Sequence, residues 1–397
     1  MRCAFALVLL WSLTAIGCSG SDLPQAARTQ CVAPEMTAES TLSRRDELQQ
    51  FVDRSVSAGL PGMVMLVETP EGLWAGAAGL ADIERGVPFG RCTPSRIGSV
   101  TKTFTATLVL RLVERGLVEL DEPAHSYLPR RIMDGLPNAR RVTVRQLLNH
   151  TSGIPSYTDD LGFGTAFLNE PDREWTVGEL LDFVRGDDPL WAPGAKYEYS
   201  NTNFVLLGRL AESVTGRSLQ ELMTEEIFGP AELATAHFDP DNIIPAGAAR
   251  GYIDLYGGGT ITESTNYLIG GYADGGIVAT AYDLLRFSRS LFGEVLLARA
   301  TLDEMTTSVA VPEPEYGLTR YGLGLRYWET DCGGAWGHTG GSWGYLAEMF
   351  YFPTQDTTVV VLVNGSLGEI NEKFDEQVHQ EIPELLFGSG SENAVDH

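Results

Sequence analysis

The stretch Arg96-Ile97-Gly98-Ser99-Val100-Thr101-Lys102-Thr103-Phe104-Thr105-Ala106 decides how this chain is read. Phe104, Leu108, Val109, Leu112 and Val113 recur at helical spacing and predict one apolar helix face, ended by Gly116. Ser99 and Lys102 stand three apart at the start of that helix, so their side chains share a face. An amine held against a hydroxyl can take its proton and make the oxygen a nucleophile. The helix N-terminus also favours negative charge developing at the serine. Average composition produces Ser-x-x-Lys by chance about once or twice in this length. Lysine occurs here only at 102, 196 and 373, which makes the pairing less cheap. A solvated helix face is the plain alternative.

Outward from this stretch, Ser40–Ser57 carries Leu42, Leu48, Phe51, Val52 and Val56 and predicts a helix ended by Gly59. Met63–Glu68 and Leu73–Ala78, split by Pro70-Glu71-Gly72, predict a hairpin. Helices are expected at Thr143–Asn149, Thr176–Arg185, Asn203–Val214, Leu219–Ile227 and Ala281–Leu291. Strand signals return at Tyr321–Trp328, Tyr345–Phe352 and Thr357–Val363, before a last helix at Glu369–Leu386. The expected class is α/β. Residues 39–95 and 320–388 would build an antiparallel sheet flanked by helices, with an inserted, mainly helical domain over 96–319.

The chain has 397 residues, 28 basic against 53 acidic, for a formal charge of −25. With 43% hydrophobic and 20% charged residues it reads as a folded globular protein. Its acidity repels phosphate backbones and argues against nucleic-acid binding. Arg2, the apolar run Ala4–Leu13 and the small residues after it read as an export signal over 1–17. Ala15-Ile16-Gly17-Cys18 resembles the bacterial lipoprotein box, which implies lipidation at Cys18 and a membrane anchor. Residues 18–38, small and polar with Pro24 and Pro34, read as a tether, and 389–397 as a disordered tail. Apart from Cys3 and Cys18 the cysteines are Cys31, Cys92 and Cys332, which allow one disulfide at most. None has metal-ligand spacing, and no metal or organic cofactor is implied.

Two further motifs carry chemistry. In Tyr199-Ser200-Asn201 a phenol can shuttle protons, and Asn201 offers a donor and an acceptor to an amide. Helix capping by Ser200 or Asn201 is the bland reading. In His338-Thr339-Gly340-Gly341, entering a strand, glycine lets a substrate backbone approach, and the Gly341 N–H can help hold an oxyanion. A glycine-rich turn is the alternative. Gly340-Gly341-Ser342-Trp343-Gly344 also fits a nucleophile elbow, but that motif requires a helix after the turn and a strand is expected. His125 and His150 read as structural, and His237 has no visible partner.

Taken in order, Ser-x-x-Lys, Tyr-x-Asn and His-Thr-Gly resemble the serine β-lactamase and penicillin-binding protein superfamily. Leu147-Leu148-Asn149-His150-Thr151-Ser152-Gly153-Ile154 is similar to its class C branch, and the likeness spans about residues 40–385. Within it, His338 in place of lysine, Tyr197–Phe204 and Tyr321-Gly322-Leu323-Gly324-Leu325-Arg326 resemble the secreted Streptomyces DD-carboxypeptidase/transpeptidase. The resemblance implies Ser99 as nucleophile, Lys102 and Tyr199 handling its proton, and His338 in the catalytic group. Asn201, Arg326, Thr339 and Gly341 would bind substrate, with Arg326 on the terminal carboxylate of a D-alanyl-D-alanine peptide from peptidoglycan. β-Lactams would be inhibitors or substrates. An esterase or β-lactamase of the same superfamily, or a non-catalytic cell-wall-binding lipoprotein, are the other readings. The relative has threonine at Gly341 and glutamine at Trp343, and its counterpart of Cys332 is disulfide-bonded. The corresponding expectation here is a Cys31–Cys332 pair.

Overall fold

Val359-Val360-Val361-Leu362-Val363 is apolar at every position, the pattern of a strand covered on both faces. It lies in a nine-stranded sheet of the computed structural model, which describes Leu42 and residues 44–388 apart from 239–243, 268–270 and 316. The expected export signal, the tether with Cys18, Cys31 and the C-terminal tail fall outside the described residues. Strands from the N-terminal and C-terminal parts of the described residues meet in this sheet. Strands β1 (Gly62–Thr69), β2 (Gly72–Asp82) and β3 (Val87–Pro88) come from the N-terminal side. Strands β4 (Val309–Glu315), β5 (Leu318–Tyr321), β6 (Arg326–Thr330), β7 (Gly333–Ser342), β8 (Tyr345–Phe352) and β9 (Thr357–Val363) come from the C-terminal side. The order is β3-β2-β1-β9-β8-β7-β6-β5-β4, with every pairing antiparallel. The join is β1 against β9, in register from Met63 opposite Val363 to Glu68 opposite Thr358.

Alternate residues on these central strands feed two separate apolar cores. Met63, Met65, Val67, Val359, Val361 and Val363 pack with helices α1 (Arg45–Ser57) and α6 (Glu369–Phe387). Val64, Leu66, Val360 and Leu362 face the larger core on the other side, which contains α2 (Thr101–Glu114), α4 (Asn201–Thr215) and α5 (Ala281–Phe292). Each fully buried valine or leucine stabilises the fold by about 1.5–3 kcal/mol, so the two-sided strands anchor both layers at once. Between α2 and α4 lies the short helix α3 (Val144–Leu148).

Two expectations need correction. The C-terminal portion of the sheet begins at Val309, before the expected boundary at 320, because β4 is the edge strand and tolerates Pro312 and Pro314, which mask the strand signal. Tyr321–Trp328 is not one strand. It breaks at Gly322–Leu325, where Gly324 has φ +75° and lies so close to α2 that a Cβ would stand 2.3 Å from that of Ala106. Only glycine fits there.

Helix α2 also differs from the one-faced helix that periodicity predicts. Thr101 to Leu110 are all buried. The threonines on its other faces are tied to neighbouring backbone: Thr103 Oγ1 donates to Gly324 O at 2.9 Å and Thr105 Oγ1 to Ala273 O at 2.7 Å. Thr101 Oγ1 accepts from Ile277 N at 3.2 Å. A helix enclosed all round holds its first turn rigidly; that turn carries Lys102, and Ser99 lies in the short turn that leads into it.

Cys332 is a free thiol, whereas Cys92 is disulfide-bonded, which overturns the Cys31–Cys332 pair. Partial burial, then Asp331 and Glu384, push the Cys332 thiol above its ordinary range. Peptide mapping of non-reduced protein should find Cys332 alkylated by iodoacetamide, slowly at neutral pH and faster as pH rises, and Cys92 unmodified.

Candidate active site

Ser99 sits in a single 3-10 turn, Gly98–Val100, that runs directly into α2. Its hydroxyl is partly exposed, while Lys102 behind it has 0% exposure. Lys102 Nζ donates to Ser99 Oγ at 2.9 Å and to the Asp274 carbonyl at 2.8 Å. The solvated-face alternative for Ser-x-x-Lys is therefore excluded. Lys102 Nζ also lies 5.0 Å from the Tyr199 ring centre and 5.7 Å from that of Phe204, within cation–π range. The Asp274 side chain is buried too, one oxygen accepting from Tyr157 Oη at 2.7 Å and the other without a partner among the described residues. Burial pushes this carboxyl up, against the pull of Lys102 and the Tyr157 hydrogen bond. Sequence reading missed Asp274, whose one signal was an acid beside a glycine pair in Ala273-Asp274-Gly275-Gly276.

Tyr199 faces the same space. Its hydroxyl is buried with no hydrogen-bond partner among the described residues, and its ring lies under a second cation, with Arg326 Cζ 5.3 Å from the centroid. Arg326 opens β6, and its Nη1 donates to Thr339 Oγ1 on β7 at 2.8 Å. Its Nε is buried and unpartnered among the described residues. Asn201 opens α4 and donates from Nδ2 to Thr158 Oγ1 at 2.9 Å, while Ser200, the N-cap, makes no side-chain cap bond. Capping by Ser200 is thus not what the triplet is for.

Two buried histidines flank Tyr199 and hold opposite tautomers. His338 Nδ1 lies 2.5 Å from the Thr339 carbonyl, which can only accept, so Nδ1 carries the proton and Nε2 accepts from Tyr321 Oη at 3.0 Å. Both nitrogens being engaged, His338 is a fixed neutral ring and is not free to act as a base on substrate. In His150, Nδ1 accepts from Ser200 N at 3.0 Å, so Nε2 carries the proton. Burial pushes both well below the ordinary histidine range, with Arg326 and Lys102 adding repulsion. Tyr321, absent from the expected site except as a flanking residue, orients His338.

Strand β7 presses its glycines onto the Ser99 turn. A Cβ at Gly340 would stand 2.0 Å from Ile97 O and 3.0 Å from Ser99 N, and one at Gly98 (φ +47°) would meet Gly341 O at 2.7 Å. At Gly341 the nearest atom would be Leu346 Cδ2 at 4.0 Å. The glycine that close approach requires is therefore 340, while 341 matters through its backbone. After Ser342 the chain turns into β8, a strand–turn–strand setting that excludes a nucleophile elbow. Among the described residues, no group of three or more His, Cys, Asp or Glu is placed to hold a metal.

A hydroxyl against a buried amine, a phenol at its side and strand backbone beside the serine make up the parts of acyl transfer through a serine ester. This is the site of a serine hydrolase. Residues 43–381 match the family described as Beta-lactamase, and the chain belongs to it. It is 26% identical over 342 residues to Penicillin-binding protein 4* of Bacillus subtilis, covering 82% of this chain and 72% of that one. Among solved structures it is similar to a D-stereospecific amidohydrolase from Streptomyces sp.. That likeness has a TM-score of 0.75 and 31% identity, over 84% of this chain and 98% of the other. The D-amino acid amidase of Ochrobactrum anthropi SV3 gives a TM-score of 0.75 and 27% identity, over 86% and 97%.

Gly340→Ala should lower the acylation rate at least about 10²-fold, since a misplacement of about 1 Å costs that much. Gly341→Ala should fold and stay within about tenfold of the native rate, as stopped-flow acylation would show. The histidines bear on stability. Both stay neutral in the folded state but bind protons below about pH 6.5 when unfolded. The unfolded state then holds more protons, so stability is full above about pH 6.5 and falls as pH drops, by up to about 1.4 kcal/mol per pH unit for each histidine. Urea titrations at pH 7.5 and 5.0 should show this, with a shallower loss in His338→Gln.

Proposed function

We propose that this chain is an exported serine-type D-alanyl-D-alanine carboxypeptidase acting on peptidoglycan stem peptides. The observation that carries this reading is Arg326. Its guanidinium stands beside Tyr199 with a buried, unpartnered Nε, and among the described residues no carboxylate pairs with it. A planar cation held open in a site is suited to a substrate carboxylate, as a peptide ending in a free D-alanine supplies. Neutral His338 leaves Arg326 that role alone.

In this reading Ser99 Oγ attacks the carbonyl of the penultimate residue, and its proton passes to whichever of Lys102 and Tyr199 enters the step deprotonated, as amine or as phenolate. The N–H groups of Ser99 and Gly341 hold the oxyanion. The C–N bond then breaks, the leaving amine takes a proton from the same pair, and water resolves the acyl-enzyme. Thr339 and Asn201 bind substrate, Thr339 through its contact with Arg326. Cys18, as lipid carrier, would anchor the enzyme at the cell envelope, a reading supported by Ala15-Ile16-Gly17-Cys18. β-Lactams would acylate Ser99. The 31% identity to a D-stereospecific amidohydrolase favours a second reading, D-stereospecific hydrolysis of an amide.

Release of D-alanine from a D-alanyl-D-alanine peptide, set beside hydrolysis of D-phenylalanine amide and a short-chain ester, tests this. Ser99→Ala should abolish all three. Arg326→Ala should lower kcat/KM for the peptide about 10²-fold, near 2.7 kcal/mol, and leave the ester within about threefold. Peptide release that survives Arg326→Ala, or turnover of the amide alone, would overturn the carboxypeptidase reading.

A further inference from the structure

His150 holds Tyr199 from both sides. Its carbonyl accepts from Glu198 N at 2.9 Å, and its Nδ1 accepts from Ser200 N at 3.0 Å. The N–H groups of the residues before and after Tyr199 therefore end on one residue. The imidazole is fully buried, with its centroid 4.4 Å from the Tyr199 ring, 4.8 Å from Tyr321 and 5.2 Å from Phe204. Nδ1 takes a second donor, Asn203 Nδ2 at 3.2 Å, whose amide is oriented by Ser152 Oγ donating to its Oδ1 at 2.7 Å. This polar network ties the loop after α3 to the first turn of α4.

The backbone makes the double grip possible. His150 has φ +58°, the left-handed region that few non-glycine residues adopt. There its carbonyl and its side chain both reach the extended segment 198–200. Strain of this kind persists where surrounding structure over-determines it. Nε2 keeps the proton, buried and without a partner among the described residues, so the ring forgoes a hydrogen bond to keep Nδ1 bare.

We infer that His150 is a positioning residue for Tyr199: as a neutral acceptor it fixes the phenol against Lys102 and Ser99, and so sets the acylation rate. The inference rests on the acyl-enzyme reading of the site. It touches neither substrate nor the reacting atoms and acts only through Tyr199. Loss of the acceptor should lower the rate of the step in which Tyr199 takes part and leave substrate affinity nearly unchanged.

Asparagine supplies a test, because it tolerates positive φ and places an acceptor one bond from Cγ, as Nδ1 is in histidine. Glycine accepts the same backbone without an acceptor, and phenylalanine keeps the ring volume without one. Acylation by a serine-reactive phosphonate and kcat and KM for a short-chain ester would be measured in His150→Asn, His150→Gly and His150→Phe, with melting temperatures. His150→Asn should stay within about tenfold of native. His150→Gly and His150→Phe should fall about 10²-fold or more in acylation and kcat, with KM within about threefold. If the phenylalanine variant fails to fold, the asparagine and glycine pair decides. Near-native acylation in His150→Gly, or His150→Asn as slow as His150→Gly, would overturn the proposal. Native protein that the phosphonate leaves unlabelled would bring down the acyl-enzyme reading itself, a distinct failure.

Discussion

A lysine with no exposed surface organises the active half of this molecule. Withdrawing a charge from water costs several kcal/mol, and the structure offsets it with oriented acceptors and aromatic faces. Lys102 finds Ser99 Oγ, the Asp274 carbonyl and the rings of Tyr199 and Phe204. These come from three places: the turn before α2, the Ala273–Gly276 loop and the start of α4. The burial of one side chain therefore ties together α2, the start of α4 and the Ala273–Gly276 loop. The threonines of α2 serve the same end, fastening the helix to the loops on either side.

Electrostatics follow from this arrangement. Two cations, Lys102 and Arg326, share a small buried volume with two histidines, and both rings stay neutral because burial and the cations act together. Neutrality then allows opposite tautomers, one donating to the Thr339 carbonyl and the other accepting from the Ser200 N–H. The imidazoles are oriented hydrogen-bonding frames beside the Ser99–Lys102 pair and the Tyr199 phenol. Membership of the Beta-lactamase family fits a site in which a buried amine stands against a serine hydroxyl.

Much of this was legible in the chain itself. Ser99 and Lys102 stood out because their three-residue helical spacing is local, whereas Tyr199 and Arg326 stood out only once the motifs taken together resembled a known superfamily. The sheet built from both chain ends was legible because β-branched runs such as Thr357–Val363 have few other uses. Less legible were β4, whose prolines hide an edge strand, and the break at Gly324, where α2 leaves no room for a side chain. His150 read as structural because nothing in Asn149-His150-Thr151 shows which residues its nitrogens will meet.

The sequence by itself determined the Ser99–Lys102 pairing on one helix face and the antiparallel sheet, since spacing and periodicity act over a few residues, and its three motifs in order carried the family resemblance. Only the tertiary structure decided that Lys102 is buried, that Gly340 is the glycine required by close approach, and that His150 grips both sides of Tyr199. It also decided the free thiol at Cys332. Those outcomes depend on contacts between residues tens to hundreds of positions apart, such as Asp274 with Lys102 and Gly340 with Ser99. Packing, not local preference, sets such distances.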